Sequence, residues 1–445
     1  MISRIHIEEF RDIGDLELFF LPGVNLLIGD NGSGKTSVLK ACQYVLGTFF
    51  CGFKMDHTPT WTQLTPEAKD FRRRVSSDGD ELMKHPIKFN FDLRYEENGQ
   101  NPIELTDQIL TKRNTLGRAL TTTFQDHQDY TKGLLEGYAT DEGRYRPLPV
   151  FVFYSVEDIH TKRKVSHSLF QKYRHMASFG YYHALTENAF LDFWIKRMLI
   201  LREEEQAGNH ELAVVRGALL SALGTDGAGV LQDLSIRINK KAVYWKLLDG
   251  REISSEHLPD GLRRVISIVV DLAFRCALLN QTLYQSDSAL KSEGTVLIDE
   301  IDLHLHPRLQ ASILKGLRKA FPRLQFIITS HAPMVMSSVD ADDKYNIVYK
   351  MSYNQEMSQY EALKQSTYGL DVSTIMRMIL GLAPRDKQVD ERLTHLFDLI
   401  DLEKYSEATI AIQSLQDQFD DSLPELSKAS VMLHFLSSEQ NEENH

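Results

Sequence analysis

The chain has 445 residues, which allows two or three domains, and its 42% hydrophobic and 25% charged residues are ordinary for a soluble globular protein. Its net charge of −12 excludes a surface that binds nucleic acid over its whole extent, although local basic patches stay compatible with that value. Because no apolar run reaches the length of a membrane span and the first residues lack the apolar segment of a signal peptide, we expect a cytoplasmic protein without membrane segments.

Three strands and a helix are predicted at the beginning of the chain. Apolar residues alternate over residues 5–10 and 16–20, which is the pattern of two half-buried strands. Residues 24–28 are largely apolar and predict a buried strand, and residues 37–41 predict a helix. A buried strand and a helix are therefore expected to flank the segment between them.

That segment, residues 29–36, reads GDNGSGKT and fits the pattern G-x-x-x-x-G-K-[ST] of a phosphate-binding loop. Glycines have no Cβ, so such a loop turns tightly and points its backbone N–H groups at an anion. We expect Lys35 to contact the β- and γ-phosphates and the Thr36 hydroxyl to bind Mg²⁺. The predicted ATP-binding residues are Gly29, Asp30, Asn31, Gly32, Ser33, Gly34, Lys35, Thr36 and Ser37.

The middle of the chain has a mixed pattern. Residues 86–93 and 148–154 predict strands, and residues 184–205 predict a helix. Several aromatic residues share one face of that helix. We interpret this face as core packing rather than as a ligand site, because large aromatic side chains are usually buried.

A second group of motifs begins near His257. Residues 262–280 predict a long apolar helix, and residues 294–298 predict an apolar strand that ends in Asp299 and Glu300. In a chain with a phosphate-binding loop, this pattern predicts that the first carboxylate holds Mg²⁺ beside the loop threonine. The second carboxylate is then expected to polarise the attacking water.

Three histidines follow that strand. His331 closes the next predicted strand, residues 324–330, and its imidazole is expected to stabilise charge that develops on the γ-phosphate. His304 and His306 alternate with leucines directly after the acidic pair. For these two we favour a structural or dimer-contact role over a metal site.

Beyond about residue 365 we expect only helices. Apolar stripes over residues 389–400 and 405–419 are separated by a turn at 401–404, and this arrangement predicts a helical hairpin.

The phosphate-binding loop, the acidic pair and His331 together resemble the motifs of ABC-type ATPases, in the branch related to the SMC, Rad50 and RecF proteins. Residues 258–264, LPDGLRR, occupy the position of the signature motif of that class, with Pro259 where the family pattern has a serine. The resemblance implies a head-to-tail homodimer or a higher homo-oligomer. In it, Asp260 and Gly261 of each protomer would face the nucleotide of the other.

A nuclease domain follows the ATPase in OLD-type and Gabija-type relatives. This TOPRIM domain needs a glutamate on one strand and a D-x-D pair on another to hold two metals. After His331 only residues 340–343 are rich in acids, and the histidine and asparagine set of an HNH nuclease is also missing. We therefore expect an ATPase without a nuclease site of its own.

A more particular similarity covers most of the chain. Its segments are residues 181–182, 194–197, 248–250, 368–371 and 405–419. Through these segments the chain is similar to Septu-type, PtuA-like anti-phage defence ATPases, including those found beside retrons. The similarity implies a regulatory ATPase that controls a separate HNH-type nuclease, with the C-terminal helices as a candidate docking surface.

Basic clusters support an alternative function. Residues 72–74 and 162–164, followed by basic and aromatic residues at 170–175, stand out against the acidic background. Such clusters bind nucleic-acid phosphates in a salt-dependent way, but solvated helix faces and loops show the same pattern, and we favour that simpler interpretation. The alternative is a RecF- or SMC-like DNA-binding ATPase in DNA repair.

The predicted fold class is α/β: a P-loop NTPase of ABC-ATPase type with an α/β-helical insertion and an all-helical C-terminal domain. The predicted domains are residues 1–55 for the N-terminal lobe with the P-loop, 56–255 for the insertion, 256–350 for the second half of the ATPase, and 351–445 for the C-terminal helices.

Overall fold

The structure is a computed structural model, and it describes residues 1–53, 66–75, 81–83, 86–96, 102–110, 125–139, 146–156, 177–186, 191–204, 210–340, 343–383, 385–419 and 423–443. Residues 1–375 form one compact unit, and residues 376–445 form a second. Among the described residues, no helix is long and apolar enough to cross a membrane.

The strands follow one another along the first unit. In chain order they are β1 (Ile2–Phe10), β2 (Ile13–Phe19), β3 (Val24–Ile28), β4 (Arg73–Val75), β5 (Glu81–Met83), β6 (Lys88–Tyr95), β7 (Ile103–Leu110), β8 (Val150–Tyr154), β9 (Leu231–Arg237), β10 (Ala242–Leu247), β11 (Glu252–Ser254), β12 (Gly294–Ile298), β13 (Leu324–Thr329), β14 (Ile347–Asn354) and β15 (Gln359–Gln365).

The α-helices occur in both units. They are α1 (Lys35–Gly47), α2 (Phe49–Gly52), α3 (Gln125–Ala139), α4 (Leu191–Glu204), α5 (Glu211–Leu223), α6 (Asp260–Tyr284), α7 (Ser288–Lys291), α8 (Pro307–Gln310), α9 (Ile313–Ala320), α10 (Pro333–Met336), α11 (Val372–Thr374), α12 (Lys387–Asp401), α13 (Tyr405–Phe419) and α14 (Pro424–Glu443).

An antiparallel sheet with the strand order β2-β1-β6-β7 contains the beginning of the chain. In its register, Ile5 of β1 lies opposite Leu18 of β2 and Phe91 of β6. These three side chains are buried. The alternation in the sequence therefore reflects a sheet with one face packed against the core.

The central sheet has the strand order β15-β14-β3-β13-β12-β8, and its strands are parallel except for β15 at the edge. Every residue of β3, β8 and β12 is buried, as expected for parallel strands covered on both faces. Ile298 pairs with Ile328, and Leu27 pairs with Thr329. The carboxyl ends of β3, β12 and β13 therefore meet at one edge, where ligands bind in sheets of this kind.

A buried polar network joins α4 and β8 to α6, and because β8 is a strand of the central sheet, the predicted insertion over residues 56–255 includes part of the ATPase core. Asp271 of α6 accepts hydrogen bonds from the Tyr154 hydroxyl at 2.6 Å, the Trp194 indole at 2.5 Å and Arg275 Nε at 2.6 Å. Arg275 also donates to the carbonyl of Gly180 at 2.7 Å. Because all these side chains are buried and partnered, the network fixes β8, α4 and α6 against one another. Trp194 is a core residue, in agreement with the packing interpretation.

In the described part of the second unit, helices α12, α13 and α14 pack against one another. The apolar stripes of α12 and α13 form its core together with Leu426, Ala429 and Leu433 of α14. The predicted helical hairpin around residues 401–404 is confirmed.

The helical region begins later than residue 351. Residues 351–354 belong to β14, and β15 follows at Gln359–Gln365, so both segments are strands of the central sheet. The sequence of β15 gave a weak strand signal because an edge strand with a solvent-facing side needs few large apolar residues.

Candidate nucleotide-binding and catalytic site

The phosphate-binding loop lies between β3 and α1, as predicted. Its three glycines have φ values in the left-handed region: 139° at Gly29, 80° at Gly32 and 88° at Gly34. At Gly29 a Cβ would also lie 2.2 Å from the carbonyl oxygen of Met351. Only glycine adopts such conformations at low cost, so the loop depends on these three positions.

Lys35 begins helix α1 with its side chain folded into the loop. Its Nζ donates to the carbonyl oxygens of Gly29 at 2.9 Å and Asp30 at 2.7 Å, and to Ser33 Oγ at 3.2 Å. Burial lowers the pKa of Lys35, while the nearby carboxylates, Asp299 first among them, oppose that effect. A buried ammonium group beside backbone N–H groups at a helix N-terminus suits the phosphates of a nucleotide.

The structure brings Thr36 and Asp299 together across 263 positions of sequence. Thr36 Oγ1 lies 3.2 Å from each carboxylate oxygen of Asp299. The Asp299 carboxylate is nearly buried, whereas Thr36 is exposed. One hydroxyl from the first turn of α1 and one carboxylate directly after β12 match the one or two protein oxygen ligands that Mg²⁺ takes in a nucleotide site.

Thr329, at the end of β13, orients the acidic pair. Its hydroxyl donates to Asp299 Oδ1 at 2.7 Å and accepts the backbone N–H of Glu300 at 2.7 Å. Glu300 itself is half-buried and has a φ of 47°. A non-glycine residue in this conformation is typically held at a functional site, at a cost of about 1–3 kcal/mol.

His331 lies at the same edge of the sheet, directly after β13 and Ser330. It is half-buried, and its backbone N–H lies 3.4 Å from Asp302 Oδ1. Its contact with the γ-phosphate stays a prediction.

The signature element lies against the acidic turn rather than within the phosphate-binding loop. Pro259 caps helix α6, and the exposed Asp260 is its first residue. Gly261 is buried against the loop after the acidic pair, where a Cβ would lie 2.2 Å from the carbonyl oxygen of His304. In the described residues, Gly261 of this element thus contacts the turn of its own protomer. The contact with the nucleotide of a second protomer, which the resemblance implies, stays a prediction.

The other two histidines have local surroundings that differ. His306 Nδ1 accepts the backbone N–H of Arg308 at 3.3 Å and so caps helix α8. His304 is exposed and has a φ of 61°. Over the described residues, no group of three or more histidine, cysteine or acidic side chains is placed to hold a metal ion.

Two residues to which the sequence assigned no role of their own also contact the site. Arg264 of α6 donates to the carbonyl oxygens of Asp299 and Glu300. Tyr360 of β15 packs its ring against Gly34 and donates its hydroxyl to the carbonyl of Gly32 at 3.1 Å. No local sequence pattern marks such residues, because their side chains contact backbone atoms of segments that are distant in sequence.

The basic clusters are only partly within the described structure. Arg72 is half-buried and pairs with Glu9 at 3.5 Å. Arg73 and Arg74 lie in the short strand β4. The clusters at 162–164 and 170–175 lie outside the described residues, so the interpretation of them stays open.

The parallel sheet, the loop that Lys35 and Thr36 close and the Asp299-Glu300 turn define a P-loop ATPase of ABC type. Residues 24–337 match the family described as "AAA domain, putative AbiEii toxin, Type IV TA system". This match covers most of the chain, and the chain belongs to that family.

Named relatives agree with the resemblance seen in the motifs. The chain is 40% identical over 105 residues to "Retron Vc95 probable ATPase" of Vibrio cholerae, and this alignment covers 24% of this chain and 20% of that protein. It is 22% identical over 411 residues to "Septu protein PtuA" of Bacillus thuringiensis, and this alignment covers 88% of this chain and 90% of PtuA. The chain thus spans about a fifth of the retron ATPase and nearly all of PtuA, and the predicted similarity is confirmed.

A solved structure covers a comparable part of the chain. The SMC head domain of Pyrococcus furiosus, solved with the C-terminal domain of ScpA, matches with a TM-score of 0.46 and 15% identity. It covers 82% of this chain and 96% of that one.

Proposed function

We propose that the chain binds ATP with Mg²⁺ and hydrolyses it to ADP and phosphate. The observation that carries this proposal is the meeting of the Thr36 hydroxyl with the Asp299 carboxylate at 3.2 Å, next to the Lys35 loop. Segments that are distant in sequence thus supply the oxygen ligands for Mg²⁺ and the lysine cation for the phosphates that a Mg²⁺-bound triphosphate requires.

Each residue then has one task. The loop N–H groups and Lys35 bind the phosphates, and Thr36 and Asp299 would hold Mg²⁺, which when bound would supply positive charge beside the transferred phosphoryl group. Glu300 orients and polarises the attacking water, and His331 stabilises charge on the γ-phosphate. The residues mainly position reactants and stabilise charge, as in other phosphoryl-transfer sites.

The active form is a head-to-tail homodimer. Gly261 lies against the turn after Glu300 in its own protomer, and the backbone N–H groups at the N-terminus of α6, which begins at the exposed Asp260, suit a phosphate bound by a second copy. Pro259 supplies no hydroxyl there, so slow or gated hydrolysis is expected.

At the level of the cell, we propose a cytoplasmic regulatory ATPase of an anti-phage defence system that controls a separate HNH-type nuclease. The likeness to the Septu protein PtuA over nearly the full length of both chains supports this proposal. The helical unit of residues 376–445 is the proposed docking region.

ATP hydrolysis by the purified chain tests the enzymatic part. We expect Mg²⁺-dependent turnover in the parent, loss of turnover with retained ATP binding in Glu300→Gln, and parental turnover in the control Glu356→Gln, which alters an exposed glutamate in the β14–β15 turn. If Glu300→Gln hydrolyses ATP at the parental rate, the assignment of the water-orienting residue is wrong.

Affinity purification from the native operon tests the cellular part. Recovery of a small nuclease in a fixed ratio supports the defence function. DNA-stimulated hydrolysis that is lost in Arg163→Ala and Lys164→Ala, without a bound nuclease, favours the RecF-like alternative.

A further inference from the structure

Arg264 joins the signature helix to the acidic turn. It lies four residues after Asp260 in α6, and its side chain is buried. Its Nη2 atom donates to the carbonyl oxygen of Asp299 at 2.6 Å and to that of Glu300 at 3.1 Å. A charged donor therefore holds two consecutive backbone carbonyls at the point where the strand turns into the catalytic segment.

The turn that Arg264 holds is strained and is held from the opposite side as well. Glu300 has a φ of 47° and His304 a φ of 61°. On the side of β13, the Thr329 hydroxyl accepts the N–H of Glu300 at 2.7 Å, and the Thr329 carbonyl accepts the N–H of Ile301 at 3.1 Å. Such a backbone persists only when its surroundings fix it, and here the surroundings are Thr329 and Arg264.

The same helix makes a second contact with this segment. Gly261 lies so close to the carbonyl oxygen of His304 that a Cβ would approach it to 2.2 Å. The N-terminus of α6 and the turn at residues 299–304 are therefore in contact at both ends of the turn.

We propose that Arg264 is a positioning residue for hydrolysis: it fixes the backbone of Glu300, and so the direction of its carboxylate, and couples that direction to the position of the signature element. The inference rests on the proposed ATPase function. It adds that displacement of the signature element by a second protomer's nucleotide is transmitted to the Glu300 carboxylate of its own protomer.

The inference separates binding from turnover. The contacts expected to bind ATP come from residues 29–37, whereas the two Arg264 hydrogen bonds that carry the inference go to the carbonyls of Asp299 and Glu300. Loss of the two carbonyl contacts lets the Glu300 backbone relax, and a displacement of about 1 Å in a catalytic group costs roughly 100-fold in rate. We therefore expect Arg264→Met to lower kcat by about 10- to 100-fold, with KM for ATP changed less than about threefold.

Arg318→Met is the matched control. Arg318 also donates to two backbone carbonyls, of Pro322 at 2.8 Å and Leu324 at 3.3 Å, but at the amino end of β13, away from the catalytic edge. We expect this variant to keep the parental kcat. Arg264→Lys, whose ammonium group keeps the charge and a donor, is expected to recover part of the lost turnover.

A double variant shows whether Arg264 acts through Glu300. In the Glu300→Gln background, Arg264→Met is expected to lower the residual turnover less than about twofold, because residues that act as one unit are not additive. An equal fold-loss in both backgrounds overturns the inference.

The remaining outcomes separate the inference from the function on which it rests. If the parent does not hydrolyse ATP, or Glu300→Gln hydrolyses it at the parental rate, the proposed function fails. If those two behave as proposed but Arg264→Met keeps the parental kcat, the positioning role is wrong. If ATP affinity and kcat fall together in both Arg264→Met and Arg264→Lys, Arg264 is merely structural and the inference is overturned.

Discussion

Replacing Thr329 by valine is expected to impair both the stability and the turnover of the protein. Valine has nearly the shape of threonine, so the change removes a hydroxyl without opening a cavity. The Thr329 hydroxyl is buried, donates to Asp299 Oδ1 at 2.7 Å and accepts the N–H of Glu300 at 2.7 Å. The variant therefore loses a charge-assisted hydrogen bond and leaves the part-buried N–H of Glu300 without this partner.

The size of the effect follows from these two bonds. A hydrogen bond to a charged group contributes about 1.5–3 kcal/mol, and an unsatisfied buried donor costs about 1–3 kcal/mol. We expect the free energy of unfolding to fall by about 3 kcal/mol. Because Asp299 and the Glu300 backbone both lose an orienting contact, kcat should fall by roughly 10- to 100-fold.

Two assays measure these effects. Trp194 and Trp245 are buried in the first unit, so their fluorescence during denaturation reports the stability of that unit. Steady-state hydrolysis reports kcat and its dependence on Mg²⁺.

Thr295→Val is the control. The Thr295 hydroxyl is also buried but donates to Gln325 Oε1 at 2.8 Å, at the opposite end of the same two strands. It should lower stability by about 1 kcal/mol and leave kcat unchanged. Equal kcat values for Thr329→Val and Thr295→Val would refute the reasoning that Thr329 orients the acidic pair.

Three further predictions concern the loop and the core. Lys35→Ala should abolish ATP binding in equilibrium titrations with a fluorescent nucleotide, and an unchanged affinity contradicts the loop assignment. Tyr360→Phe loses the 3.1 Å bond to Gly32 and should weaken ATP binding about fivefold, whereas Tyr353→Phe, an exposed tyrosine of β14, should not. Burial, with a smaller contribution from the N-terminal charge, lowers the pKa of His127 from 6.5 to about 3, so the unfolded chain binds a proton that the folded protein does not. Between pH 7 and pH 5 the free energy of unfolding should therefore fall by about 2 kcal/mol more in the parent than in His127→Gln, and equal slopes contradict this origin.

The sequence predicted the parts of the site that are local. The glycines and Lys35 lie in one short loop, and Asp299 and Glu300 directly follow an apolar strand. Both patterns are therefore contiguous in the chain. The three-dimensional meeting of Thr36 with Asp299 follows from them, because the carboxyl ends of parallel strands meet at one edge of a sheet.

The contributions of Arg264, Tyr360 and strand β15 were not predictable in the same way. Arg264 and Tyr360 donate to backbone carbonyls 35 to 36 and 328 positions away, and a carbonyl leaves no mark in the sequence. Strand β15 is an edge strand with only two large apolar residues, Tyr360 and Leu363, so its periodicity is weak and its place depends on pairing with β14.

Native mass spectrometry of the Glu300→Gln variant with and without ATP and Mg²⁺ tests the central claim most directly. If the site is composite and each protomer supplies Asp260 and Gly261 to the other, the variant should be a dimer with two ATP molecules bound and should return to monomers when nucleotide is removed. A variant that binds ATP as a monomer, or whose oligomeric state is the same with and without ATP, contradicts the account.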